Sequence, residues 1–123
     1  MAKGKIATIE AAWGHLAAGE LDELASLYSE DMIFVLPGQN DVLNDRDSFR
    51  AALEGISSAL PPGFEISGLL YFDGQDGVMN VVRWTSEKVP EGSQSAIFWG
   101  FDDAGKISEE RWFVDTEQWK ASF

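Results

Sequence analysis

The chain contains no cysteine, one histidine and only nine basic residues, and each shortage removes a class of function. Without cysteine there is no disulfide, no thiolate nucleophile and no thiolate metal site. A single histidine, His15, argues against a zinc site and against a histidine proton relay. Nine Lys and Arg stand against 21 Asp and Glu, a net charge of -12. A nucleic-acid binder needs a basic footprint, and an anionic membrane attracts basic segments, so neither is an expected partner. The acids read instead as a solvated, solubilising surface. Long apolar runs are also missing. The opening MAKGKIATIEAAWGHLAAGE is interrupted by Glu10 before it reaches the length of a secretory core or a membrane span. A cytoplasmic location is the expectation, and nothing calls for a cofactor or a metal.

What the chain does have is apolar and aromatic bulk. Its 123 residues are 45% hydrophobic and include 8 Phe, 5 Trp and 2 Tyr, enough for one domain, residues 1–123, with one packed core. Ile6, Ile9, Trp13 and Leu16 recur at helical spacing, with Gly19 as a stop. Leu21, Leu24, Leu27 and Tyr28 form a second helical stripe, so residues 6–28 read as a helical hairpin. His15 lies off the first stripe and belongs near the surface. MIFVLP, led by Asp31, reads as a short strand stopped by Pro37 and Gly38, and GQNDVLND as a loop. A third helix follows, with Phe49, Ala52, Leu53 and Ile56 on one face and Asn44 with Asp47 as its capping pair. LPPG ends it.

From Phe64 the pattern changes. FEISGLLYFD, VMNVVRWTSEKV, QSAIFWGFD and KISEERWFVD are rich in β-branched and aromatic residues. DGQDG, PEGS and DDAG separate them and are turn sequences, so the four strands form an antiparallel meander. Helices first and sheet later give an α+β fold with helices against one face. After the last strand, Asp115 with TEQ makes an Asp-x-x-Gln pattern, which caps a short terminal helix and accounts for Asp115 without chemistry.

This order of elements resembles the nuclear transport factor 2-like superfamily, and three motifs resemble its SnoaL-like branch. AAGELDELASLYSEDMIF is similar to the branch's opening, VVRWTSE to its central strand, and DDAGKISEERWFVD to its closing signature. The resemblance runs from Ile9 to Trp119. It implies a cone, an α+β roll of the cystatin type in which a curved, mostly antiparallel sheet wraps around N-terminal helices. Polyketide cyclases, ketosteroid isomerase, limonene epoxide hydrolase and scytalone dehydratase share that fold, as do proteins that only bind or dimerise, so fold alone does not name the function.

The same resemblance implies which strand residues face the cone. Met32, Phe34 and Leu36 point in from the first strand, then Asn80, Val82, Trp84 and Ser86, then Ile97, Trp99 and Phe101, and finally Glu110, Trp112 and Val114. The implied ligand pocket is lined by Trp13, Phe34, Leu36, Trp84, Ile97, Trp99 and Trp112, and suits a flat hydrophobic or aromatic molecule. The alternative is a cone filled by those same side chains. A register shifted by one residue would instead bring Arg83, Arg111 and Asp115 inward.

The isomerase's base falls at Leu36, its second acid at Ile97 and its tyrosine near Ala12 or Trp13, so that constellation is lost. The acid of the cyclases and the epoxide hydrolase falls at Trp112. Glu110 remains as the one inward carboxyl. A carboxylate among tryptophans loses hydration, which raises its pKa toward neutrality and suits acid–base work on a carbonyl or enol. Glu110 could equally lie at the mouth of the cone or pair with an arginine. Arg83, Arg111 and Phe113 fall on the outward face and imply a homodimer through the sheet.

Overall fold

In the computed structural model the chain is described over residues 2–36, 41–55 and 60–123. Helix α1, Ala2–Ala18, buries Ile9 and Ala12 and leaves Trp13 and Leu16 half-buried, as the apolar spacing predicts. It ends where Gly19 takes φ 73, a left-handed conformation that glycine adopts without a Cβ clash.

Helix α2 is shorter than its stripe suggests. It spans Leu21–Ala25, and Tyr28 is not helical but opens strand β1, Tyr28–Leu36. The Ser26 hydroxyl donates to the Glu23 carbonyl at the helix end, and the Ile107 amide then takes the Leu27 carbonyl 2.9 Å away. That bond draws the chain into the sheet before the helical pattern has run out. A second difference follows β1. Asp41–Leu43, within the expected loop, forms β2 and pairs antiparallel with Phe34, Val35 and Leu36. Pro37 and Gly38 lie outside the described residues.

Helix α3, Arg46–Leu53, buries Phe49 and Leu53. Its cap is Asp45, not the expected Asn44 and Asp47: the Asp45 carboxylate accepts the Ser48 amide at 2.7 Å and the Ser48 hydroxyl at 2.9 Å. Ile56 lies outside the described residues. Strands β3 (Glu65–Asp73), β4 (Val78–Thr85), β5 (Ser93–Phe101) and β6 (Ile107–Phe113) form the expected meander. Helix α4, Thr116–Ala121, closes the chain, and Asp115 caps it by accepting the Gln118 amide at 3.1 Å.

The six strands make one open, mixed sheet in the order β2-β1-β6-β5-β4-β3. Only β1 and β6 run parallel. Register shifts at Gly68/Leu70 in β3 and Gly100/Phe101 in β5 mark bulges, which sharpen twist and bend the sheet. The four helices among the described residues lie against the face carrying Met32, Asn80, Val82, Trp84, Ile97, Trp99, Glu110 and Trp112, each of these side chains buried. The other face has Arg83, Arg111 and Phe113, so the register is the one that turns Glu110 inward.

Candidate functional site

The pairing across the sheet builds the site. Phe34 on β1 is opposite Glu110 on β6, and Glu110 is opposite Trp99 on β5. These three side chains form a row on the helix-covered face. Trp112, two residues after Glu110, stands beside it on that face. Tyr28 joins from the start of β1, and Phe49 on α3 packs on both Tyr28 and Phe34, at ring-centre distances of 4.6 and 5.4 Å. From α1, the Trp13 indole stands nearly perpendicular to Trp99 (86°, 5.8 Å) and to Trp112 (85°, 6.1 Å).

Glu110 is 5% exposed and both its oxygens accept hydrogen bonds. Tyr28 donates its hydroxyl to Oε1, and the Trp112 indole N–H donates to Oε2 at 2.6 Å. Burial disfavours the carboxylate, the two donors favour it, and burial prevails: the carboxyl is pushed up from its ordinary 4.5 to about 7. The Tyr28 hydroxyl is raised well above its usual value, first by burial and then by the neighbouring Glu110 charge. Glu110 has no ion-pair partner among the described residues.

These groups surround a cavity of about 90 Å³. Tyr28, Trp99, Glu110 and Trp112 are its buried floor. Exposed Ala52 and half-buried Leu16, Leu43, Leu60 and Phe64 lie on the wall toward the surface. No lysine, arginine or histidine occurs among its described lining residues.

Of the residues expected from sequence, Trp13, Phe34, Trp99, Glu110 and Trp112 are brought together here. Leu36, Trp84 and Ile97 are not on this wall. Trp84 belongs to a second cluster with Val89 and Trp119, its N–H held by Ser95 at 3.0 Å, because α4 lays Trp119 edge-on against it. Ile97 sits between Asn80 and Trp112, and Trp13 contacts both neighbours, so the indole closes the space above it. Leu36 packs at the margin of the core, beyond the Phe34 row and opposite Asp41 of β2. Trp13 itself is oriented by the Asn80 side-chain oxygen, 3.4 Å from its N–H. Asn80 in turn donates to the Leu70 carbonyl at the β3 bulge. His15 is half-buried and lies 3.0 Å from Glu20, away from this site.

Sequence reasoning missed Tyr28 and Phe49 as members of the site. Strand alternation does not signal Tyr28. Its burial with Phe34 comes through an irregularity, since the pairing of β1 with β6 shifts between Tyr28 and Ile33.

No protein-family model matches the sequence, and no curated protein matches it. Solved structures do match. Bal32a, from a soil-derived mobile gene cassette, superposes with a TM-score of 0.80 over 99% of this chain and 97% of its own, at 17% identity. TerC, co-crystallised with polyporic acid, gives 0.77 over 97% of each chain at 16% identity. An NTF2-like protein from Burkholderia xenovorans LB400 gives 0.74 over 100% and 98% at 13% identity. The chain has the nuclear transport factor 2-like fold. Within that cone, the sheet supplies the floor of the cavity and α1 and α3 its sides.

Proposed function

We propose that the protein is a SnoaL-like small-molecule enzyme of the isomerase or lyase type, moving a proton on a hydrophobic cyclic substrate through Glu110. One observation carries the reading: Glu110 is a carboxyl on an otherwise apolar cavity wall, held by Tyr28 and Trp112 and balanced between its two protonation states near neutral pH. An ionised Glu110 takes a proton from the carbon next to a carbonyl, and the neutral acid returns it elsewhere on the molecule. Each oxygen keeps a lone pair beyond the one its donor uses. TerC, which shares the fold, was co-crystallised with polyporic acid, which supports a small organic molecule as the kind of occupant.

Proton exchange tests this directly. Cyclopentanone incubated with the protein in heavy water should gain deuterium beside its carbonyl faster than the buffer rate. Glu110→Gln should return the rate to that of buffer while thermal unfolding stays cooperative. A Glu110 carboxyl that titrates near 4.5 by isotope-edited infrared spectroscopy would sink the reading.

A second reading is a ligand-binding module without chemistry. The occupation of both Glu110 oxygens favours it, since a carboxyl fixed by two donors also serves as a structural group. It requires ligand affinity in Glu110→Gln equal to that of the parent and no exchange in either.

We further infer a homodimer through the uncovered sheet face. Phe72, Met79 and Phe98 lie in register across β3, β4 and β5, with Leu70, Val81, Ala96 and Phe113 in the next row. Phe72, Leu70 and Phe113 are 57%, 54% and 48% exposed, a contiguous apolar patch of a kind that marks an interaction surface. A second copy fits by charge. The chain carries -12 overall, but on the strands of this face Arg83 and Arg111 offset Glu65 and Glu109, so two copies meet here with less than the general repulsion.

A further inference from the structure

Glu110 presents an unresolved charge problem. A buried ionised group is ordinarily paired with an opposite charge, and among the described residues no cation pairs with this one: Arg46 of α3 reaches the Tyr28 carbonyl at 3.2 Å and Glu30 instead. From β1 come Tyr28 and Phe34, from β5 Trp99, from β6 Trp112, from α1 Trp13 and from α3 Phe49. Tyr28 is the one titratable neighbour among them, and its raised pKa keeps it neutral. An ionised Glu110 therefore lacks a counter-ion inside the cone.

The walls around it have the chemistry to receive one. Three indoles line the cavity, one of them perpendicular to the other two, and indole is the best aromatic partner for a cation. The Trp112 N–H and the Tyr28 O–H both donate to Glu110, which leaves their rings richer in electrons and strengthens their attraction for positive charge. Size bears on the ligand as well. The cavity measures about 90 Å³. That volume excludes fused rings and leaves room for one compact group, with the remainder of the ligand toward the half-buried wall of Leu16, Leu43 and Leu60. Beside Glu110 and Tyr28, no described lining side chain offers an oxygen acceptor for the N–H bonds of a bare ammonium. A methylated nitrogen has few such bonds or none.

We propose that the cavity is a site for a compact methylated ammonium group, with Trp13, Trp99 and Trp112 as its walls and the Glu110 carboxylate as its counter-ion. The inference rests on the cavity being a ligand site, as proposed above, and not on proton transfer. The strongly acidic surface, at -12, concentrates such cations around the protein.

The test compares choline with 3,3-dimethylbutan-1-ol, its neutral carbon isostere, by titration calorimetry at pH 6 and pH 8.5. With Glu110 at about 7, its ionised fraction rises steeply between these values. Choline should bind roughly tenfold more tightly at pH 8.5 than at pH 6, while the isostere should not gain. Glu110→Gln should flatten the choline dependence and leave the isostere unchanged. Trp13→Leu, which keeps Glu110, should weaken choline more than the isostere. If the isostere binds as tightly as choline at pH 8.5, the cation is wrong and the cavity remains a site for neutral ligands. Should neither bind, both the ammonium site and the cavity as a site for ligands of this size fall. Choline binding that keeps its pH dependence in Glu110→Gln would remove the counter-ion role.

Discussion

Glu110 ties pH to stability as well as to chemistry. Its carboxyl has an ordinary value of 4.5 and rises to about 7 in the folded chain. Between those values the folded state holds a proton that the unfolded chain has released, so stability falls as pH rises through this window. The loss amounts to roughly 2 to 3 kcal/mol between pH 5 and pH 8, at about 1.4 kcal/mol per pKa unit. Urea unfolding of the parent and of Glu110→Gln at both pH values should show the parent alone losing this increment. A Gln side chain retains an acceptor for the Trp112 N–H and a donor for the Tyr28 oxygen, so folding should survive. Tyr28→Phe removes a donor that lowers the Glu110 pKa, and the infrared titration should move further up.

At the scale of elements, Asp115 separates a cap from a catalyst. Asp115→Ala should cost about 1 kcal/mol by thermal unfolding, the usual effect of losing an N-cap. It should leave the Glu110 titration where it is, since the side chain is exposed and bonded to Gln118. The cap was legible because Asp-x-x-Gln is a local pattern. The meander was legible for the same kind of reason: alternation within each strand and glycine turns between them. What escaped was decided by partners distant in sequence. Tyr28 follows a helical stripe, yet the Ile107 amide pulls the chain into the sheet at Leu27. Trp84 has the right parity for the pocket, but Trp119, 35 residues later, packs on it and assigns it to a separate cluster. Strand parity reports a face, and only the helices lying on that face decide which part of it stays open. Asp41–Leu43 shows a further limit, since a three-residue strand at the sheet edge leaves almost no pattern to read.

For the whole molecule, the two faces of the sheet have opposite fates. One is covered by helices and holds the cavity. The other leaves Leu70, Phe72 and Phe113 open. Phe113→Arg places a second charge beside Arg111 at the β6 end of the apolar rows, and the proposed dimer should become a monomer by sedimentation equilibrium. The Glu110 titration should persist in that variant, because the substituted residue points away from the cone. An unchanged mass would overturn the dimer through this face. Among the described residues no helix is long and apolar enough to cross a membrane.

The division of the five tryptophans has an optical consequence. Trp13, Trp99 and Trp112 border the cavity, while Trp84 and Trp119 pack 5.5 Å apart in the other cluster. The chain thus carries its own reporter and its own reference. A molecule entering the cone perturbs the emission of the first three directly and reaches the other pair only through Phe64, which packs on both. The near-perpendicular indoles also form a chiral array of coupled transition dipoles. Near-ultraviolet circular dichroism should therefore register occupancy of the cone without any label.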